Sequence, residues 1–165
     1  MATIFTAVNP LVVGPLDDIP EKKAFPVAAA QTWKKGTPVY INGGAVTIVT
    51  NGTIPVGQAA DDIVTPTTGS DVWVNMWNIG TRLEMYVATR ATGSTVACAA
   101  TAAMIGVEYD LAVLGTGATL VAYMDTNSPT DKCFRVLDGA WLYEPERNNL
   151  DDSPGKVLVE VVKLA

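Results

Sequence analysis

Apolar and polar residues alternate most clearly between Gly36 and Asp62, where three short runs are rich in Val, Ile, Thr and Tyr. The runs are separated by Asn-Gly-Gly at 42–44 and by Asn-Gly at 51–52. These dipeptides supply the positive φ angles that tight hairpin turns need, and β-branched residues fit a pleated sheet. The pattern predicts a meander of three strands. A meander of this size is not stable alone, so further strands must cover its apolar face.

A second pair of strands is predicted further along the chain. From 71 to 77, valines and a methionine fall on one face, whereas Trp73, Asn75 and Trp77 fall on the other. After an Asn-Ile-Gly turn, residues 82–88 alternate again. Alternation with a period of two is typical of half-buried strands, so this region predicts a hairpin.

Further apolar segments that fit strands occur at 24–33, 107–113, 119–125, 132–137 and 156–164. Together they predict about ten short strands with a turn signal every 8–12 residues, as in barrels and sandwiches. Residues 89–104 are ambiguous, because their alanines favour a helix whereas their threonines and Gly93 weaken it. One short helix near 97–104 fits this region. The predicted fold class is all-β, a single β-barrel, β-tulip-like or sandwich domain.

The first 24 residues differ from this pattern. Pro10, Pro15 and Pro20 exclude a continuous helix and a central strand, yet the segment is rich in apolar side chains. We therefore expect an extended N-terminal arm over 1–24 and a β domain over 25–165. The arm lies either across its own domain or on a neighbouring subunit. Since its apolar residues have no regular period, we expect residues 1–20 to contribute to assembly more than to folding.

The composition of the chain favours some classes of function and argues against others. Of the 165 residues, 48% are hydrophobic and only 17% are charged, and the formal net charge is −6. A surface with so little charge favours contact with partners, and we expect a homotrimer or a higher oligomer. The few basic residues are scattered, which argues against nucleic-acid binding. No apolar run approaches the roughly 20 residues of a membrane span, and no signal peptide is expected.

The chain contains no histidine. Histidine is the usual general base near neutral pH and the commonest metal ligand, so most zinc sites and Ser-His-Asp catalysis are excluded. The acidic pairs at 61–62 and 151–152 fit solvated turns better than a catalytic pair. Asp125, Asn127 and Asp131 lack the spacing and closing Glu of a calcium loop and are also expected in a solvated turn. We expect no enzyme, no cofactor and no metal, and two reduced, buried thiols at Cys98 and Cys133.

The tryptophans and the apolar arm are the remaining candidates for contact. Exposed indoles stack on sugar rings, but indoles also supply apolar area at oligomer interfaces or fill space inside a fold. The segment 138–154 is a long acidic connection, and such loops usually bind something or are disordered. The candidate contacts with a partner or a neighbouring subunit are Phe5, Val8, Leu11, Val12, Trp73, Trp77, Trp141 and Tyr143.

Two segments in the region of the predicted meander resemble a known protein family. Trp-Lys-Lys-Gly-Thr-Pro-Val-Tyr-Ile at 33–41, followed by Ile-Pro-Val-Gly-Gln-Ala-Ala-Asp-Asp at 54–62, resembles the capsid decoration (cement) proteins of tailed bacteriophages. Those proteins pass from a "gdpVyi" strand to a "vG.A.dd" strand in the same way. The segments 104–111, 121–125 and 134–138 are similar to phage structural proteins, so the resemblance covers roughly residues 25–165.

The resemblance implies a β-barrel or β-tulip domain that forms homotrimers on the capsid surface and performs no catalysis. The implied partner is the major capsid protein, and the implied location is the virion, after synthesis in the host cytoplasm. A carbohydrate- or surface-binding β-sandwich, such as a component of a head or tail fibre, is a second function class. A histidine-free enzyme is the third class.

Overall fold

The structure, a computed structural model, describes residues 11–12, 21–29, 31–91, 94–127, 131–139 and 155–165. Strands dominate these ranges, and the helical residues among them form two 3₁₀ turns, Ala102–Met104 and Gly117–Thr119. The strands in chain order are β1 (Leu11–Val12), β2 (Lys22–Pro26), β3 (Pro38–Asn42), β4 (Ala45–Ile48), β5 (Gly57–Ala59), β6 (Asp71–Met76), β7 (Arg82–Ala91), β8 (Ser94–Ala97), β9 (Glu108–Leu114), β10 (Val121–Asp125), β11 (Phe134–Gly139) and β12 (Lys156–Val161). The predicted all-β class is confirmed.

Five of the strands close into a barrel. Around the ring, β7 pairs with β10, β10 with β9, β9 with β11, β11 with β12, and β12 returns to β7. The pairing of β7 with β10 is parallel and the other four pairings are antiparallel. β7 also pairs with β1 and β8. Because the ring is closed, each of its five strands pairs with a neighbour on both sides, which limits the open edge available for strand-to-strand aggregation.

The other five strands form a sheet in the order β2-β6-β5-β3-β4. The hairpin of β3 and β4 turns through Gly43 and Gly44, whose φ angles are 59° and 84°, as the Asn-Gly-Gly sequence predicts. A single parallel bridge between Val27 and Val46 brings the two ends of the sheet together. The sheet is therefore strongly curved, and one bridge connects its two edge strands.

The predicted meander is wrong in its order. All three runs form strands, but β5 pairs with β3 and β6 and not with β4. Residues 49–56 carry the chain past β3, and on the way Val49 and Ile54 pack against the barrel core. Gly57 lets β5 approach β6 closely, because a Cβ there would overlap the backbone oxygen of Asn75. Tertiary packing, which local turn sequences do not encode, decides this order.

Two other elements also differ from expectation. The strand predicted at 24–33 begins at Lys22 and ends at Pro26, and it is followed by isolated bridges at Val27 and Trp33. The helix predicted near 97–104 is reduced to the single 3₁₀ turn, since Ala97 belongs to β8. The predicted hairpin of β6 and β7 does not form, because β6 joins the sheet and β7 joins the barrel.

Each layer has its own apolar core. The barrel core includes Leu83, Leu111, Met124, Phe134 and the inward-facing valines of β12. The smaller core of the sheet surrounds Trp33 and is otherwise made mainly of valines. Both cysteines are free thiols, with Cys133 buried and Cys98 only partly so. Within the described residues, no helix has the length and apolar character to cross a membrane.

Candidate binding surface around Trp73

The predicted contact residues are distributed over different parts of the molecule. Phe5, Val8, Trp141 and Tyr143 lie outside the described residues. Leu11 and Val12 form β1, which pairs its backbone with β7 of the barrel. Trp73 and Trp77, which the alternation places together on one strand face, are separated by the structure.

Trp77 is a core residue, which corrects its prediction as a partner contact. β6 ends at Met76, so Trp77 no longer follows the alternation of the strand. Its ring is 2% exposed and meets Phe134 edge-on, with ring centroids 6.0 Å apart. Its indole N–H donates to Oε1 of Gln58 over 3.2 Å. Trp77 therefore connects the core of the barrel to the neighbouring sheet and is not accessible to a partner.

Trp73 remains on the surface, at the centre of the outer face of β6. Its neighbours along the strand, Val72 and Val74, are buried, whereas the Trp73 side chain is 48% exposed. Ala24 is its partner on β2, and on its other side Ala60 donates its backbone N–H to the Trp73 carbonyl oxygen over 2.9 Å. Because both lateral neighbours carry only a methyl group, they leave much of the indole uncovered.

Polar and charged groups surround the ring. The ammonium of Lys22 lies 5.4 Å from the Trp73 ring centroid, a cation–π distance, and 3.5 Å from Oδ2 of Asp61. The side chains of Lys22 and Asp61 are about half exposed, so this ion pair is weak and screened by salt. Asn75 lies two residues further along the same face of β6. The Trp73 surface, defined as Trp73, Lys22, Ala24, Asp61 and Asn75, combines a flat apolar ring with hydrogen-bonding groups at its margin.

Among the described residues, the other large exposed apolar side chains do not form a comparable site. They are Val64, Ile79, Val96, Ile105, Val107 and Leu114. Val96 lies on β8, Ile105 and Val107 lie in the connection before β9, and the other three lie at separate loops, turns or strand ends. Scattered apolar side chains are normal on a protein surface. Trp73 differs because its ring is large and because it lies in the middle of a sheet, where the backbone is fixed by pairing on both sides.

The acidic groups have structural roles that the sequence did not reveal. The prediction of a solvated turn is wrong for Asp125, which is fully buried. Its Oδ1 accepts the backbone N–H groups of Arg90 and Asn127, each at 3.0 Å, and its Oδ2 lies 3.4 Å from Nε of Arg90. Asp125 thus fastens the end of β10 to β7. In the described ranges, no group of three or more His, Cys, Asp or Glu residues is arranged to hold a metal.

The residues that shape the Trp73 surface were mostly missed by sequence reasoning. Lys22 and Ala24 belong to the range assigned to the arm, yet they pair with Asn75 and Trp73 on β6. Only the alternation around Trp73 pointed to this face, because cross-strand neighbours depend on register. Comparison of the chain with protein-family models, with curated proteins and with solved structures finds no match.

Proposed function

We propose that this chain is a virion structural protein that binds the outer surface of a phage capsid and stabilises the lattice of the major capsid protein. The supporting observation is that the exposed Trp73 and the segments resembling cement proteins belong to one sheet. Residues 33–41 contain all of β3 except its last residue, residues 54–62 contain β5, and β6 with Trp73 pairs directly with β5. The two segments quoted for the cement proteins and the exposed indole thus lie in the same sheet, whereas the similar segments at 104–111, 121–125 and 134–138 lie in or beside the barrel.

The segment 54–62 ends in two acidic residues, Asp61 and Asp62, whose contacts lie next to or beneath the Trp73 surface. Asp61 forms the ion pair with Lys22 next to the Trp73 ring. Asp62 accepts the backbone N–H of Lys35 through Oδ1 over 2.7 Å. The Asp61 contact joins the loop after β5 to β2, and the Asp62 contact joins the same loop to the loop before β3. The two acidic residues therefore help to order the strand ends beneath the proposed contact.

The mechanism is mechanical and involves no catalytic step. Each copy buries the Trp73 ring and surrounding apolar area on a capsid subunit, with an interface on the order of 800 Å² per partner. A homotrimer multiplies this modest contact, because the second and third contacts become intramolecular. Outward pressure on the capsid must then break several interfaces at once.

The direct test compares heat resistance of expanded capsids with and without the bound protein. We expect decorated capsids to release their nucleic acid at a higher temperature than bare capsids. Equal transition temperatures under saturating protein would remove the stabilising role, even where sedimentation shows that binding occurs.

The contact itself is tested with Trp73→Ala, which we expect to weaken capsid binding at least tenfold, since buried tryptophans often dominate interface energies. Ile79→Ala is the matched control, because Ile79 is 63% exposed but lies in the turn between β6 and β7. Unchanged affinity of the Trp73→Ala protein would exclude this face as the capsid contact.

Salt dependence separates apolar from ionic attachment. Charge is scarce in the chain and the Lys22–Asp61 pair is exposed, so we expect capsid binding to persist in 1 M salt and to vary little between pH 6 and 8. Sedimentation of decorated capsids across a salt series measures this. Dissociation at moderate salt would indicate an ionic interface elsewhere on the molecule.

Carbohydrate binding is the second candidate function, and the geometry of the Trp73 surface favours it over catalysis. A partly exposed indole beside an amide and an ammonium group can stack on a sugar ring and bind its hydroxyls. Quenching of tryptophan fluorescence by a panel of neutral and acidic oligosaccharides tests this, with Trp73→Phe to identify the responding ring. Saturable quenching that disappears in Trp73→Phe would favour this function over capsid binding.

A further inference from the structure

Strand β2 is an edge strand of the sheet, and its pairing with β6 fixes the direction of its backbone groups. The register with β6 runs without a shift over all five residues of β2. Before the strand, the Glu21 carbonyl oxygen accepts the N–H of Met76 over 2.8 Å. After the strand, Val27 donates its N–H to the Ser70 carbonyl oxygen over 2.9 Å. Since alternate residues of an antiparallel strand turn their backbone groups to the same side, the odd-numbered residues of β2 bond to β6.

The even-numbered residues Lys22, Ala24 and Pro26 consequently turn their backbone groups away from β6. Beyond them, the isolated bridge from Val27 to Val46 closes this side of the sheet. Before that bridge, no strand of the described ranges pairs here, and all three residues are exposed. The part of β2 from Lys22 to Ala24 is termed the free edge. It presents the N–H and C=O groups of two residues, whereas Pro26 has no N–H to offer.

The free edge lies directly beside the Trp73 surface. Ala24 is opposite Trp73 in the register, and Lys22 is opposite Asn75. Opposed residues of neighbouring strands point to the same face, so both side chains share the face of the indole. A strand added at the free edge would place every second side chain on this face. Because Ala24 carries only a methyl group, a large apolar side chain opposite it can reach across to the exposed ring.

The lysines determine which kind of strand fits. Two copies pairing through this edge would bring Lys23 against Lys23, or would set Lys22 against Pro26, which lacks a donor. Edge lysines of this kind oppose self-association. The ion pair of Lys22 with Asp61 is about half exposed and therefore weak, so the ammonium remains accessible to a further carboxylate. Charge thus favours an acidic segment of a different protein over a second copy.

We infer that the free edge binds an extended segment of another protein as an additional antiparallel strand, with an acidic residue opposite Lys22 and a large apolar residue opposite Ala24. Backbone hydrogen bonds supply the affinity, and the neighbouring side chains select the sequence. The direction follows the sheet, whose strand pairs are all antiparallel. The inference goes beyond the capsid proposal, because it specifies the type of segment and holds for a partner of any origin.

A synthetic peptide tests the inference on the full-length wild-type protein. The probe is acetyl-Thr-Val-Leu-Thr-Glu-Thr-amide, in which Leu is placed opposite Ala24 and Glu, two positions later, opposite Lys22. In an NMR titration at millimolar peptide, we expect saturable shifts of the Lys22 and Ala24 amide signals and of the Trp73 indole N–H signal. The amide signals of β11 and β12 should not move. Absence of saturable shifts at the free edge would overturn the inference.

N-methylation of the peptide separates strand addition from side-chain contact alone. Methyl groups on the backbone nitrogens of Leu and Glu remove the two donors that face β2. Methyl groups on the nitrogens of Val and of the second Thr remove donors that face away, so this peptide is the matched control. We expect the first peptide to bind at least about tenfold more weakly and the control to stay within about twofold. Equal affinities of the two methylated peptides would contradict strand addition.

The matching change in the protein is Ala24→Pro. It removes a donor of the free edge but leaves the bonds to β6, which are made by Lys23 and the other odd-numbered residues. Pro26 already occupies the equivalent edge-facing position, and proline is compatible with edge strands. Ala24→Ser keeps the donor and is the control. We expect Ala24→Pro to weaken peptide binding at least about tenfold and Ala24→Ser to change it less than about twofold. Equal affinities of the two variants would argue against the inference.

Light scattering without peptide tests whether a second copy occupies the edge instead. We expect wild type and Ala24→Pro to have the same mass. An assembly of the wild type that Ala24→Pro splits would place another copy at the free edge and overturn the inference. The capsid proposal and this inference can fail separately, because capsids that bind through Trp73 while the peptide does not bind would reject strand addition alone.

Discussion

The two layers of this molecule close their edges in different ways. In the barrel, β12 and β7 are joined by a continuous register from Lys156–Tyr86 to Glu160–Arg82. In the sheet, the ends meet at the single bridge between Val27 and Val46. The barrel is therefore the layer with the continuous closure, and the sheet is the layer that carries the exposed Trp73 ring.

The apolar cores of the two layers also differ in the size of their side chains. The barrel core contains long and aromatic side chains, and Trp77 meets Phe134 at its edge. The sheet core consists mainly of valines around Trp33. The Trp33 indole N–H is buried without a hydrogen-bond partner in the described part of the structure, which costs about 1–3 kcal/mol. We therefore expect the sheet to open more readily than the barrel.

The largest expected effect comes from the residue that connects the two layers. Trp77→Ala removes a buried ring and its hydrogen bond to Gln58, and we expect a loss of about 3–5 kcal/mol in the free energy of unfolding. Trp73→Ala is the control, since the ring is half exposed, and should cost less than about 1 kcal/mol. Denaturant titration measures both. Similar losses for the two variants would mean that Trp73 is also part of the fold.

A substitution in the sheet alone tests its close packing. In Gly57→Ala the new Cβ would overlap the Asn75 backbone oxygen, so β5 and β6 must separate, at a cost of about 1–3 kcal/mol. We expect hydrogen exchange to rise in β5 and β6 while the barrel strands stay protected. Equal loss of protection in β11 and β12 would show that the two layers unfold as one unit. Gly155→Ala, which would overlap Ala100, is the corresponding variant beside the barrel.

The pH dependence of stability tests the barrel core. Burial raises the pKa of the Cys133 thiol well above its usual range, and the nearby Asp110 carboxylate adds to this effect. The unfolded chain releases the thiol proton above about pH 8.5, whereas the folded chain keeps it, so the stabilising contribution is complete below that pH and is lost above it. We expect a slope of up to about 1.4 kcal/mol per pH unit from this group.

Cys133→Ala isolates the contribution of that thiol, because other groups also titrate at high pH. Burial raises the pKa of Tyr109, which adds a loss of the same sign at still higher pH. We expect the decrease in stability between pH 8.5 and 10 to be smaller in Cys133→Ala than in the wild type. Parallel curves for the wild type and Cys133→Ala would contradict the burial of the thiol.

The smallest effect is expected at a surface ion-pair network on the barrel. The Arg135 guanidinium on β11 lies 2.8 Å from Oε1 of Glu108 on β9 and 3.0 Å from Oε1 of Glu160 on β12. The hydrogen bond to Glu108, above all, raises the pKa of Arg135. Arg135→Gln should lower the melting temperature slightly at low salt and hardly at all in 1 M salt, since exposed pairs are screened. A salt-independent decrease would indicate packing by the arginine stem.

Part of the candidate site was predictable from the sequence. The alternation around Trp73 identified the correct face, because Val72 and Val74 must point towards a core if the strand is half buried. The same alternation failed for Trp77, since periodicity does not say where a strand ends. Lys22 was assigned to an arm because prolines surround it in sequence, whereas the structure pairs it with β6.

Local sequence accounts for the all-β class and for the turn of the β3–β4 hairpin, because alternation and Asn-Gly turns act over a few residues. Tertiary packing was needed to decide that β5 pairs with β3 and β6, that β6 and β7 separate into two layers, and that β7 closes a ring with β12. Those pairings join residues that are far apart in the chain, as between Arg82 and Glu160. They are selected by the burial of two cores and by the pairing of strand edges, which are properties of the whole chain and not of any single segment.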